Sequence, residues 1–279
     1  MPDMLIIHDI VGHSMLFVGP AGYPPGSKGG VNAVERTKAL GLSALEVQFG
    51  RSVNLSDEKA REIGAKAREL GVALSAHAPY YINFNSNEQT VEKSHDWLMR
   101  AVRAADAMGA RIVVVHAASY MGHTSEQATR KVVEAMRRIR RQMESEDLHT
   151  IIGLETMGKS ASWGTLQEIA SVMAEVDGIE PVPDFGHIHA RYGGQLRTED
   201  DFRKVLDSCS EMHQGRLHCH FSCIEYTAKG EKRHLLLEEK EPDFALLASI
   251  IQDERREMTI ISETPAPTED AVRMLAMLS

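Results

Sequence analysis

Residues 182–194, VPDFGHIHARYGG, place Asp184, His187 and His189 within six positions behind a short apolar run. A carboxylate and imidazoles at the mouth of a buried strand are costly to desolvate unless a proton, a salt bridge or a metal satisfies them. Comparable groups recur along the chain. His77, His116, Glu155, Asp184, His218 and Glu263 each close a strand-like run, at separations of 39, 39, 29, 34 and 45 residues. One βα unit takes roughly 30 residues or more, so the spacing is that of a repeated unit. Three histidines and three acids without a cysteine suit zinc or manganese, with carboxylates able to bridge two ions. Such a cluster would repel itself if empty, and two or more cations relieve that while stabilising the oxygens of a phosphoryl displacement. Taken singly, each residue has a plainer explanation: His116 as a hydrogen-bonded structural residue, Asp184 as a cap on the following turn, Glu155 or Glu263 as the partner of an arginine. Six in phase with one repeat favour a shared metal centre that Asp184 and His187 face. His189 is expected outside it, and His8, His13, His95, His123, His149 and His213 are expected to be solvated or structural.

The elements that must position these groups follow from alternation. The run SALEVQF precedes SDEKAREIGAKAREL, in which Ala60, Ile63, Ala67 and Leu70 recur at helical spacing. Ser56 reads as the N-cap, with Asp57 and Glu58 placing negative charge in the first turn. VALSAHA with a helix near 89–108 and RIVVVHA with one near 125–143 repeat the pattern. TIIGLET pairs with 165–175, EPVPD with 199–208, LHCHFS with 242–252 and MTIISET with 268–277. With a first strand near 14–18 there are eight strand-like runs, most followed by a helix. That order implies a parallel sheet buried on both faces. The count of eight favours a closed TIM (β/α)8 barrel, an α/β fold in which residues at the carboxyl ends of the strands converge on one face. No Gly-rich phosphate fingerprint follows the first strand, which argues against a dinucleotide-binding sheet.

The bulk properties agree. The chain has 279 residues, 43% of them hydrophobic and 25% charged. No linker separates domains, since the loop GPAGYPPGSKGG at 19–30 comes too early, so a single domain over 1–279 is expected, with 1–14 as an N-terminal extension. No apolar run approaches the ~20 residues of a membrane span, and the N-terminus does not resemble a signal peptide. The expected location is the cytoplasm. Cys209, Cys219 and Cys223 form no CxxC pattern and are expected to be reduced. A formal net charge of −9 argues mildly against non-specific coating of nucleic acid and fits a carboxylate-rich site neutralised by cations.

With these segments laid out, the chain resembles the endonuclease IV family of apurinic/apyrimidinic endonucleases from about residue 15 to the C-terminus. The segments HAPYYINFNS, VVVHAAS, IIGLETMGKSASWGTLQEIASVM, PVPDFGHIHARYGGQLRTEDDF, LHCHFS and IISET carry the resemblance, most specifically the DxxH followed by a Gly pair and LRT. It implies a TIM barrel with two or three zinc ions that cuts double-stranded DNA 5′ to an abasic site and leaves a 3′-hydroxyl. It further implies that His77, His116 and Glu155 bind one zinc, and that Glu155 bridges to a second held by Asp184, His218 and Glu263. His187 would help hold the third. Glu155 and Glu263 are the expected catalytic carboxylates. His220, two residues beyond His218 and on the same side of the strand, is a reserve ligand. The family completes its third site with an Asp-x-His pair, whereas this chain reads GEKRHLLL: one register sets His234 at the histidine but Lys232 at the acid, the other sets Glu231 at the acid but Arg233 at the histidine; His234, with or without Glu231, is expected to serve the third site, and its ion is expected to be held more weakly. Tyr80 is expected to wedge into the duplex and Arg51, in a short loop, to contact DNA. A monomer is expected.

A sugar isomerase or epimerase of the xylose-isomerase-like kind, with one divalent ion held by two glutamates, an aspartate and a histidine, is the alternative enzyme. Glu155, Asp184, His218 and Glu263 could supply that set, leaving His77, His116 and His187 unexplained. A non-catalytic barrel that has lost its third site draws support only from the irregular GEKRH segment.

Overall fold

Short runs rich in Val and Ile, such as IVVV at Ile112–Val115, can be buried on both faces only if helices cover the sheet. The computed structural model describes residues 16–279, and in it eight such runs form parallel strands. They are β1 (Leu16–Pro20), β2 (Ala44–Gln48), β3 (Ala73–His77) and β4 (Ile112–Val115). The series continues with β5 (Ile151–Glu155), β6 (Ile179–Val182), β7 (Leu217–Phe221) and β8 (Met258–Ser262). Strands β2 to β6 pair in succession, and β8 pairs with both β1 and β7. The two remaining seams are closed by backbone bonds: Ser43 N to the Val18 carbonyl (3.0 Å) and Gly22 N to that of Glu46 (2.9 Å) on one side, His220 N to that of Pro183 (3.1 Å) on the other. The expected TIM barrel is therefore the observed fold.

Helices α1 (Gly30–Ala39), α2 (Asp57–Leu70), α3 (Glu88–Met108), α4 (Ser125–Ser145), α5 (Leu166–Met173), α6 (Glu199–Met212), α7 (Phe244–Glu254) and α8 (Pro267–Met277) form the outer layer. Their ends follow local chemistry. Ser56 caps α2 by accepting from Lys59 N, and Thr124, Thr165 and Thr198 open α4, α5 and α6 with reciprocal capping boxes. Ala60, Ile63 and Ala67 of α2 are buried as their spacing predicts, and Leu70 is half-buried. The first strand begins at Leu16; residues 1–15, with the expected extension and with His8 and His13, lie outside the described residues.

Strand alternation sets what fills the barrel. Ile112, Val114 and Val182 form an apolar layer inside it. Gly153 leaves room there, because a Cβ on it would stand 2.6 Å from Val182 Cγ2 and 2.8 Å from Ile112 Cδ1. Two residues further along the same strands come His116, Glu155 and Asp184, so one inward layer above the apolar plug is built from ligand-type side chains.

The site is also shaped by elements that the sequence expectation lacks. A short helix, Phe185–Arg191, follows β6 at once, with Asp184 accepting from His187 N at 2.7 Å as its cap. An antiparallel hairpin, Cys223–Thr227 with Gly230–Leu235, follows β7, and its ladder shifts register between Glu225 and Tyr226. No helix among the described residues is long and apolar enough to cross a membrane.

Candidate metal centre

The carboxyl ends of the strands meet around Glu155, which is fully buried at the end of β5. His77 Nε2 and His116 Nε2 reach its Oε2 at 3.2 and 2.9 Å. His187 Nδ1 lies 3.1 Å and His220 Nδ1 3.4 Å from its Oε1, and His220 Nδ1 is also 3.4 Å from Glu263 Oε1. Four groupings of donor atoms, each within 4.8 Å of one another, result: His77, His116 and Glu155; Glu155, Asp184, His220 and Glu263; His187, Glu231 and His234; and, deeper, Glu46, His218 and His220.

Backbone carbonyls aim the imidazoles. His77 donates its Nδ1 hydrogen to the Ala78 carbonyl (2.7 Å), His187 to that of Thr156 (3.0 Å) and His234 to that of Glu263 (2.7 Å). Each bond holds the ring by Nδ1 and turns Nε2 into the cleft. An unprotonated nitrogen facing a carboxylate oxygen needs a proton or a cation between them. Glu155 Oε1, Asp184 Oδ2 and His220 Nδ1 are moreover buried without a hydrogen-bond partner among the described residues. Three orphaned acceptors at one point, in an oxygen and nitrogen donor set, fit divalent cations.

The electrostatics point the same way. Burial opposes charge on His187, but Asp184, Glu155 and Glu231 outweigh it and push its pKa up to about 10. His220 is raised well above its ordinary value against the same burial by Glu46, Glu263 and Glu155. Burial would likewise raise the Glu155 carboxyl, yet His116, His220 and His187 hold it well below the usual range. These are positions at which a cation would compete with protons.

The sequence-based site residues fall into three sets. His77, His116, Glu155, Asp184, His187, Glu263 and His234 converge, with Glu231 beside His187 (3.6 Å) and His234 (3.9 Å). His218 does not join Asp184 and Glu263: it lies one inward layer deeper, 3.1 Å from Glu46, and His220 stands in its place. The reason is the period of two along β7, whose upper inward position is residue 220. Tyr80 is half-exposed at the rim, its ring 5.2 Å from His77 and 6.0 Å from His116. Arg51 is exposed in the turn after β2, which Tyr80 N joins through the Gly50 carbonyl (3.1 Å). His189 accepts from Leu196 N and faces Glu241, away from the centre. Glu46 is the residue that sequence reasoning misses; the signal for it is a carboxylate in the middle of a buried strand, ALEVQ.

Comparison with known proteins settles what kind of barrel this is. The family model described as a xylose isomerase-like TIM barrel matches residues 34–279. The chain belongs to that family. It is 30% identical to an uncharacterized protein of Methanocaldococcus jannaschii over 94% of this chain and 96% of that protein. It is 31% identical to a probable endonuclease 4 of Staphylococcus carnosus, over 52% of this chain and 50% of the relative. Among solved structures, endonuclease IV from Thermus thermophilus matches with a TM-score of 0.75 and 22% identity, covering 94% of this chain and 97% of that one. A 3-keto-D-glucoside 4-epimerase from E. coli matches with 0.68 and 16%, covering 94% and 98%. Nuclease and epimerase thus share this fold, and the site must decide between them.

Proposed function

We propose that this barrel is a zinc-dependent phosphodiesterase that incises double-stranded DNA 5′ to an abasic site and leaves a 3′-hydroxyl. The observation that carries the reading is a surplus of donors. Glu155, Asp184, His220 and Glu263 suffice for one cation, yet His77 and His116 extend the site on one side of Glu155, and His187, Glu231 and His234 on the other. In this reading the first set with Glu155 holds one ion, the quartet a second and the last trio a third. Ions so bound would supply an activated water at neutral pH and offset charge on the phosphate oxygens.

The chain's own residues do the rest. Glu155 joins the first two groups, and Glu263 completes the second. A cleft of about 570 Å³ opens over them, lined by Gln48, Tyr80, Met157, Lys159, Ser162 and Thr264 among others. Tyr80 offers an aromatic face at its mouth, suited to stacking where a base is missing. Among the described residues Lys159 is the one lysine or arginine lining the cleft, and the net charge is −9. Binding is therefore expected to depend on salt only shallowly, because few phosphates are neutralised.

A second reading is favoured by one observation: the quartet is complete by itself, and epimerases share the fold. There Glu155 and Glu263 would move protons on a sugar held by a single cation. A duplex oligonucleotide with one abasic analogue, incubated with and without chelator, separates the two. Chelator-sensitive cleavage 5′ to the lesion supports the nuclease; an intact strand alongside turnover of a ketose replaces it with the epimerase, and neither activity leaves a non-catalytic barrel.

A further inference from the structure

His220 is oriented differently from the other imidazoles of the centre. His77, His187 and His234 each give Nδ1 to a backbone carbonyl, although His187 Nδ1 also lies 3.1 Å from Glu155 Oε1, whereas His220 Nδ1 has no carbonyl partner among the described residues and faces Glu155 and Glu263, each at 3.4 Å. Its Nε2 points down the barrel to Glu46, 3.2 Å from either carboxylate oxygen. Glu46 is fully buried on β2, opposite Ser75 of β3 in the ladder. Besides His220 it receives Ser75 Oγ (2.9 Å) and His218 Nε2 (3.1 Å) on Oε2, and Gln48 Nε2 (2.9 Å) on Oε1. Gln48 in turn accepts from the Tyr80 hydroxyl at 2.7 Å. Four side chains meet the carboxylate, so Glu46, His218 and His220 form a hydrogen-bonded hub beneath the centre.

We infer that Glu46 is the positioning residue of His220: by accepting the Nε2 hydrogen it fixes the tautomer in which Nδ1 is the ligating atom, and its charge makes that nitrogen a stronger donor. The inference rests on the metal-centre reading of His220. A carboxylate behind a ligating imidazole raises its basicity and holds its ring, and losing such a partner typically costs about 10–100-fold in metal affinity. His77, His187 and His234 lean on neutral carbonyls, so a carboxylate behind the ring sets His220 apart from those three. It also links the ion shared by Glu155, Asp184, His220 and Glu263 to the rim, because the path Tyr80, Gln48, Glu46, His220 is continuous.

The test uses full-length protein stripped of metal and reloaded with Co2+ or Zn2+. Glu46→Gln is expected to lower the affinity for one ion by about 10–100-fold in chelator competition, and to shift the cobalt absorption bands. Glu46→Asp should restore part of both. A merely structural role for Glu46 would leave the bands of the loaded protein unchanged. Nitrogen-15 NMR of the zinc-loaded wild type reads the same point without any variant: zinc on His220 Nδ1 with a protonated Nε2 supports the assignment. Zinc on His220 Nε2, or Glu46→Gln with wild-type affinity and bands, overturns it while leaving the metal centre intact. Wild-type protein that takes up no cation overturns both readings together.

Discussion

Glu231 and His234 stand three positions apart in one strand and yet face the same cleft, with His234 Nε2 3.9 Å from Glu231 Oε1. In a regular strand an offset of three puts side chains on opposite faces. Here Tyr226 pairs with Glu231 and Glu225 with Arg233, so Lys232 is the extra residue of a bulge. The bulge absorbs one position and returns His234 to the side of Glu231. Its ends are held by Glu225, which pairs with both Lys232 and Arg233.

This geometry predicts an unusual tolerance. Deleting Lys232 should remove the bulge and leave a regular strand in which the acid and the histidine are two apart, still on one face. The full cation complement is therefore expected to survive, at a stability cost of about 1 kcal/mol or less for the exposed ion pair. Inserting one alanine between Lys232 and Arg233 should instead turn His234 outward and release one ion, as should His234→Ala. Metal analysis of protein purified without chelator distinguishes these outcomes; an insertion variant that keeps every ion would detach the trio from metal binding.

The barrel is legible in the sequence because its signals are short-range: apolar runs of four or five residues, helical spacing in α2, and polar residues at the interval of one βα unit. The rim is legible for the same reason at His77, His116, Glu155, Asp184 and Glu263. What escapes depends on partners distant in sequence. His218 and His220 share one face of β7, and only the level of the neighbouring strands, with Asp184 bridged to His220 across the seam, selects the upper one. Glu46 sits below the strand end, where a sequence cannot show that Ser75 and two imidazoles from across the barrel await it. The bulge at Lys232 is a pairing property and leaves no local mark in GEKRH.

The two histidines of β7 should therefore separate in experiment. His220→Ala removes a donor that faces Glu155 and Glu263, and is expected to release one cation and abolish activity. Losing His218 takes away one of four donors to Glu46 and leaves the upper layer untouched. His218→Ala should keep its cation complement and lose about 1–3 kcal/mol of stability, the usual cost of an incompletely paired buried group. Thermal melts and metal analysis of the two variants, side by side, check this; equal metal loss from both would return His218 to the ligand set.

Gly158 makes a close approach that the trio requires. A Cβ there would meet Glu231 Cβ at 2.8 Å and His187 Cδ2 at 3.0 Å. The Glu231 N to Gly158 carbonyl bond (3.1 Å) keeps the two backbones together, so they cannot simply part. Gly158→Ala is expected to push Glu231 and His187 apart and weaken one cation selectively, by roughly tenfold for about 1.4 kcal/mol of misfit. Chelator competition that finds all ions unaffected would show the hairpin to be more compliant than this.

Glu168 ties the wall of the cleft to pH. Its buried carboxylate accepts from Gly164 N (3.0 Å), Thr165 N (2.9 Å), Thr165 Oγ1 (3.1 Å), Tyr120 (2.7 Å) and Ser125. Burial would raise its pKa, but Ser125, the Thr165 and Gly164 amides and Tyr120 together hold it below the ordinary value. A carboxyl depressed on folding contributes its full stability above its unfolded pKa, about 4.3, and loses it as pH falls through the folded value. Glu168→Gln places an amide donor among donors and is expected to cost about 2 kcal/mol at pH 7. The gap in melting temperature between wild type and variant should stay constant above the unfolded value and narrow as the pH falls below it, through the depressed folded value. Tyr120 also receives Arg191 Nη2 (3.1 Å), and Arg191 Nη1 holds the carbonyls of Met157, Lys159 and Ser162. Those three residues line the cleft, so the same substitution should loosen substrate binding more than it slows chemistry, raising KM with little change in kcat. A gap that stays equally wide at pH 3 would mean that the Glu168 charge is not what holds this wall.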